Sequence, residues 1–260
     1  EDGEGVADTG DKVTITGENF GTDPSDISVS FNGTPAEFEL VDESTIVATT
    51  PADYQTGSVT VTIHGYTMTG GAMFNPNSKG DVTVLYLQNY KQPFAKANDE
   101  SWKNGEVWNQ NAASFNAKGN TTVSGMQYKS EEGLTLAFQN GWDKEAYTNG
   151  KMWQVATLRP GKYRLEVTYA YTLVVTDAGN FISVLIAKGD SESDIPNVAD
   201  LEQLNGVYVA YDKMGTANDS GTLVTPSFEV TETTDVVIGF LTSLAKGNSY
   251  FKVTELKLIL

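Results

Sequence analysis

Hydrophobic and polar residues alternate with period two through most of the chain, and no stretch sustains the spacing of an amphipathic helix. The clearest alternation places Tyr163, Leu165, Val167 and Tyr169 between Arg164, Glu166 and Thr168, the pattern of a strand with one buried face. A short apolar-rich run over residues 153–158 precedes it, and Arg159-Pro160-Gly161-Lys162 separates the two. Proline sets φ at the first turn position and glycine accepts a positive φ at the second. The spacing therefore predicts an antiparallel hairpin that pairs these strands and anchors a β-sandwich in the C-terminal two-thirds.

In the N-terminal part the predicted strands are short and evenly spaced, over residues 12–16, 27–31, 36–41, 45–49 and 58–63. Turn signals at Gly17, Gly21, Asp23-Pro24, Asn32-Gly33 and Pro51 separate them, and Asn32-Gly33 suits a type I′ hairpin. Short strands at this spacing follow the pattern of a small immunoglobulin-like sandwich, which holds roughly seven in about 70 residues. The opening EDGEGVADTG is polar and glycine-rich, with no signal peptide remaining; it reads as a flexible tether left after processing or as the place where the sequence was cut. From Tyr66 to Gly80 the pattern loosens, and Asn75 to Gly80 is the expected linker.

The run Gly10-Asp11-Lys12-Val13-Thr14-Ile15-Thr16-Gly17-Glu18-Asn19-Phe20-Gly21, with Val29-Ser30-Phe31-Asn32-Gly33 and Gly57-Ser58-Val59-Thr60-Val61, resembles the IPT/TIG family of immunoglobulin-like domains. Gly17 and Gly21 would bracket a bend that turns Phe20 into the core. The domain is expected over residues 1–78, and a second over 79–260.

The second domain has predicted strands over residues 82–87, 133–138, 153–158, 163–172, 181–188, 207–211, 222–230, 235–241 and 250–260. Long intervals separate some of them, and loops longer than about 12 residues are commonly functional. Eight or nine strands with aromatic-bearing loops is a jelly-roll pattern. Gln154 to Tyr163, Phe228-Glu229-Val230 and the closing Phe251 to Leu258 resemble galactose-binding-like jelly rolls, on which many carbohydrate-binding modules are built. The expected fold is thus all-β, an N-terminal immunoglobulin-like β-sandwich followed by a larger C-terminal jelly-roll β-sandwich. Together the two resemblances suggest the surface glycan-binding lipoproteins of bacterial polysaccharide-utilisation loci. They imply a protein at the cell surface or outside the cell, held by a lipid anchor beyond this chain and working beside other outer-membrane glycan-uptake proteins.

A formal net charge of -17 over 260 residues argues against nucleic acid or an anionic membrane as partner and favours a neutral oligo- or polysaccharide. There is no cysteine, and no apolar run approaches the ~18 residues of a membrane span.

Sugar rings lay their C–H faces on aromatic rings, while their hydroxyls take amide and carboxylate partners. Residues 102–111 and 139–147 each supply both kinds of group in one stretch. Trp102, Trp108, Trp142 and Tyr147 are the candidate platforms, with Asn104, Asn140 and Asp143 as hydrogen-bonding partners. Tryptophan beside glycine in a sandwich also serves simply as packing, and Trp153 is assigned to packing.

Catalysis is not expected. The single histidine, His64, lies in the first domain, so no serine–histidine–acid triad can form in the second. The stretch GDSESDIPNVAD reads as a solvated acidic loop, and the carboxylates show no paired motif on one strand face. No cofactor is required, although a structural calcium ion suits such jelly rolls. The rival readings are a structural or protein-adhesion module and an accessory region of a polysaccharide-degrading enzyme.

Overall fold

The computed structural model describes residues 5–95, 106–115, 124–140, 146–174, 179–215, 219–245 and 249–260. They fall into two compact units, Glu1–Leu85 and Tyr86–Leu260.

In the first unit β1 (Gly5–Val6), β2 (Lys12–Thr16), β3 (Ile27–Phe31), β4 (Thr34–Ala36), β5 (Phe38–Asp42), β6 (Thr45–Thr49), β7 (Gly57–Ile63) and β8 (Tyr66–Phe74) form two sheets. Their orders are β1-β8-β7-β3-β4 and β2-β6-β5. Phe20, Val29, Phe31, Ile46, Tyr54 and Val61 form the core of this immunoglobulin-like sandwich. Asn32 and Gly33 have φ of 45° and 81°, as a type I′ turn requires. Phe20 is buried as expected, and a Cβ at Gly17 would lie 2.5 Å from its ring, so only glycine lets the aromatic fold back there.

Three expectations change in this unit. The predicted strand over 36–41 is broken at Glu37, where the chain passes from the first sheet (β4) to the second (β5). The loosened stretch after Tyr66 is the nine-residue strand β8, reached through a second left-handed turn at His64-Gly65, with φ of 48° and 86°. The opening residues, expected as a tether, include a short strand: Gly5 and Val6 pair in parallel with Met73 and Phe74.

The second unit contains β9 (Asn109–Gln110), β10 (Ser124–Lys129), β11 (Gly133–Asn140), β12 (Tyr147–Leu158), β13 (Gly161–Tyr169), β14 (Phe181–Lys188), β15 (Val209–Lys213), β16 (Gly221–Val224), β17 (Phe228–Val230), β18 (Thr234–Leu244) and β19 (Ser249–Ile259). One sheet runs β10-β11-β19-β13-β16, with β17 also on β13, and the other β15-β14-β18-β12-β9. All these pairings are antiparallel, giving a jelly-roll sandwich. Its interior includes a chain of rings, Tyr169, Phe251, Phe138 and Phe240, with neighbouring centroids 5.0 to 6.2 Å apart.

The predicted hairpin does not form. β12 and β13 follow each other through Arg159-Pro160, yet they lie in opposite sheets, β12 beside β18 and β13 beside β19. The connection is an arch over the end of the sandwich, and the edges of each strand are taken by other partners, β18 and β9 for β12 and β19 with β16 and β17 for β13. Gly161 is outside the positive-φ region. It already pairs with Val230 of β17, and a Cβ there would lie 2.3 Å from Leu260 Cδ1, so close approach and not turn geometry selects glycine. Two further differences are a short helix, Thr83–Tyr86, where residues 82–87 were expected to be a strand, and β10, which falls inside an expected long loop.

The sheet containing β14 and β18 is buried on both faces, which explains the nearly unbroken apolar runs of these strands. On its outer face Trp153, Leu185, Val237 and Leu241 are covered by Ile195 and Leu201. The stretch GDSESDIPNVAD therefore packs Ile195 and Pro196 down as a cover while Asp190, Glu192 and Asp200 stay exposed, as the acidic-loop reading expected, and Trp153 is a packing residue as expected. Lys151, only 6 % exposed, anchors the cover from below: its Nζ donates to the carbonyls of Ile195 at 2.6 Å and Glu192 at 3.2 Å. Burial holds its pKa below the usual lysine value, partly offset by the Glu192 carboxylate. Above it the Asp194 carboxylate accepts hydrogen bonds from Ser191 Oγ, the Ser191 and Asp190 amides and Tyr208, and the Ser191 bond leads in lowering its pKa.

Candidate functional site

The site grows from the stretch that follows buried Leu87. The amide of Gln154, on β12, makes a reciprocal pair with the Gln88 backbone: Gln88 N donates to Oε1 at 3.1 Å, and Nε2 donates to Gln88 O at 2.6 Å. Trp108 Nε1 donates to Asn89 O at 3.0 Å. Beyond this point the chain runs along β19, with Leu256 N donating to Tyr90 O and Gln92 N to Thr254 O, while Phe94 N reaches Leu134 O on β11. It fills the space below Leu136, where β11 has parted from β19.

This wedge leaves a cleft of about 510 Å³ lined by Gln88, Asn89, Tyr90, Lys91, Pro93, Ala95, Glu106 and Val107. That volume lies in the range of small-ligand sites. The Lys91 ammonium sits 5.8 Å from the Tyr90 ring centroid. Val107 on the rim is 48 % exposed with φ of 66°, a left-handed conformation that strains a β-branched residue. The lining thus offers one phenol ring, the Gln88 amide, a carboxylate and an ammonium group. Among the described residues no three of histidine, cysteine, aspartate and glutamate converge. His64 is exposed in the first unit, with Nδ1 3.4 Å from Asp26.

The predicted contact residues divide into two groups. Trp102, Asn104, Trp142 and Asp143 lie outside the described residues. Trp108, Tyr147 and Asn140 are inside the sandwich, where ligand contacts were expected. Trp108 is 4 % exposed and its ring lies 5.8 Å from that of Phe240. Tyr147 is 7 % exposed, its hydroxyl is 3.1 Å from Thr242 Oγ1, and burial pushes its pKa well up. Asn140 is fully buried and donates to Leu244 O at 3.2 Å. Trp108 lies just ahead of β9 and turns inward after the left-handed turn at Val107, while Asn140 and Tyr147, at the ends of β11 and β12, close the core. The cleft residues Gln88 to Lys91 were missed, although a tyrosine between an asparagine and a Lys-Gln-Pro turn signal was visible in the longest non-alternating interval.

The family model described as "Domain of unknown function (DUF5013)" matches residues 88–239, more than half of the chain. The chain belongs to the DUF5013 family. The DUF5013 match starts at Gln88 and takes in the whole lining of the cleft together with Trp108 and Gln154. Ahead of it an IPT/TIG domain matches residues 4–78. No curated protein matches the DUF5013 chain. Solved structures similar to it include TmCBM61 in complex with β-1,4-galactotriose, at 10% identity, covering 67% of this chain and 97% of that one, with a TM-score of 0.41. A putative glycoside hydrolase from Bacteroides thetaiotaomicron has 12% identity, 86% and 83% coverage and a TM-score of 0.43. The xylan-binding module CBM15 has 13% identity, 60% and 97% coverage and a TM-score of 0.31.

Proposed function

We propose that this chain is a non-catalytic glycan-binding protein whose second unit holds an oligo- or polysaccharide in the cleft beside Tyr90. The observation that supports it is the lining itself, where a phenol ring stands beside the Gln88 amide, Glu106 and Lys91. A sugar ring can place C–H groups on the phenol and hydroxyls on the polar groups. Lys91 and Glu106 cancel locally and the whole chain carries -17, which favours a neutral glycan. A shallow wet site of this kind binds with roughly micromolar to millimolar affinity. In the same reading the IPT/TIG unit is a spacer, and a lipid anchor outside these residues displays the protein at the cell surface next to glycan-uptake partners.

Calorimetry of the whole chain with neutral polysaccharides, beginning with β-1,4-galactan and xylan, tests the reading. Tyr90→Ala should weaken binding at least about tenfold, the loss of one stacked ring, and lower the melting temperature by no more than about 3–6 °C, the cost of a partly buried ring. Binding that ignores this substitution would move the site elsewhere. Protein adhesion is the second reading, favoured by a cleft of about 470 Å³ in the first unit between β2 and β8, lined partly by Val13, Ile15, Val59, Met68 and Met73. It predicts a protein ligand lost in Met68→Glu and no polysaccharide binding.

A further inference from the structure

We propose that Asn89 is the positioning residue of the cleft, a clasp whose side chain ties together the backbone at Ala95 and Glu106 and so fixes two of the walls. This rests on the reading of the cleft as the sugar site. Asn89 Oδ1 accepts from Ala95 N at 2.6 Å, and Nδ2 donates to Ala95 O at 2.8 Å and to Glu106 O at 3.1 Å. Glu106 N also donates to Ala95 O, at 3.3 Å, so the two wall positions are joined directly as well as through the clasp.

The residue type follows from the geometry. One planar group must present an acceptor to an amide and two donors to carbonyls, which asparagine and glutamine alone among side chains can do. It must also sit at φ of 46°, where asparagine is tolerated far better than most residues. An aspartate would keep the acceptor for Ala95 N and set a negative charge against the carbonyls of Ala95 and Glu106. The clasp itself is held from the interior, because Asn89 O receives the Trp108 indole N–H and the Gln88 backbone is paired with Gln154. Core packing thereby reaches the two walls through the half-buried Asn89 amide. Asn89 is a positioning residue for the walls, while Tyr90 is the contact.

The test uses the whole chain with Asn89→Gly, which keeps the left-handed backbone, and Asn89→Asp. Amide exchange at Ala95 should accelerate at least about tenfold in Asn89→Gly as its acceptor is lost, and stay slow in Asn89→Asp. Affinity for the polysaccharide that responds to Tyr90→Ala should fall about fivefold or more in both variants, the worth of a hydrogen bond, with the melting temperature within about 3 °C of the wild type. A purely structural asparagine would change stability without separating Ala95 exchange from affinity in the aspartate variant. Unchanged Ala95 exchange in Asn89→Gly overturns the clasp, with or without a ligand. Normal affinity in Asn89→Gly alongside lost affinity in Tyr90→Ala overturns the positioning role and leaves the sugar site standing. Normal affinity in Tyr90→Ala sinks the sugar site, and Ala95 exchange then decides the clasp alone.

Discussion

Replacing Trp108 by alanine removes the indole that fills the interior behind the cleft. The side chain is 4 % exposed, lies against Phe240 and donates to Asn89 O. A buried indole hides on the order of 200 Å² from water, worth about 5 kcal/mol at ~25 cal/mol per Å². Alanine recovers part of that burial, while the cavity adds a cost, which brings measured tryptophan-to-alanine losses to about 3–5 kcal/mol. The orphaned Asn89 carbonyl adds about 1 kcal/mol. A loss near 5 kcal/mol should lower the melting temperature of the second unit by about 10–20 °C at its size. Trp108→Phe keeps most of the packing and should lose only about 1–2 kcal/mol. Thermal and urea unfolding of the whole chain, followed beside glycan titration, reads both variants. If Trp108→Ala unfolds within 1 kcal/mol of the wild type (about one hydrogen bond) yet loses the ligand, the residue is a surface platform and its placement here is wrong.

Lys151→Met should destabilise the second unit by about 1–3 kcal/mol at neutral pH, because the carbonyls of Glu192 and Ile195 lose their donor. Burial lowers the Lys151 pKa, so the folded state disfavours the charged form; the wild type should therefore gain on the methionine variant as pH rises from the lowered value toward 10.5. A stability difference that shrinks over that range would contradict the sign. Gly161→Ala should cost about 1 kcal/mol by pressing on Leu260, with most of it recovered in combination with Leu260→Ala; equal losses in both backgrounds would refute the contact. Val107→Gly should add about 1 kcal/mol by relieving the left-handed strain, and a lowered unfolding midpoint would show that no strain is stored there.

Alternation along the chain was enough to read both sandwiches and most of their strands, because each strand buries one face and period two records that directly. It did not reveal which strands pair. β12 and β13 are adjacent in sequence and alternate as a hairpin would, yet the arch at Arg159-Pro160 places them in opposite sheets. Their partners, β18 and β19, are fixed by packing with segments far along the chain. Residue type misled in a similar way at the site. Trp108 and Tyr147 offer the rings a sugar would use, but burial of a large ring is worth more than its exposure, and both went to the core. Asn89 and Tyr90 occupy a stretch without alternation, and what gathers them at a cleft is the reach of Gln154, Trp108 and Thr254, which no local pattern encodes.

Titration of the whole chain, wild type and Tyr90→Ala in parallel, against a broad panel of neutral polysaccharides decides whether the cleft beside Tyr90 binds sugar. At least one glycan should bind the wild type and be lost in Tyr90→Ala while that variant stays folded. Silence across the panel with a folded protein, or a glycan bound equally by both, would contradict a sugar site in the cleft.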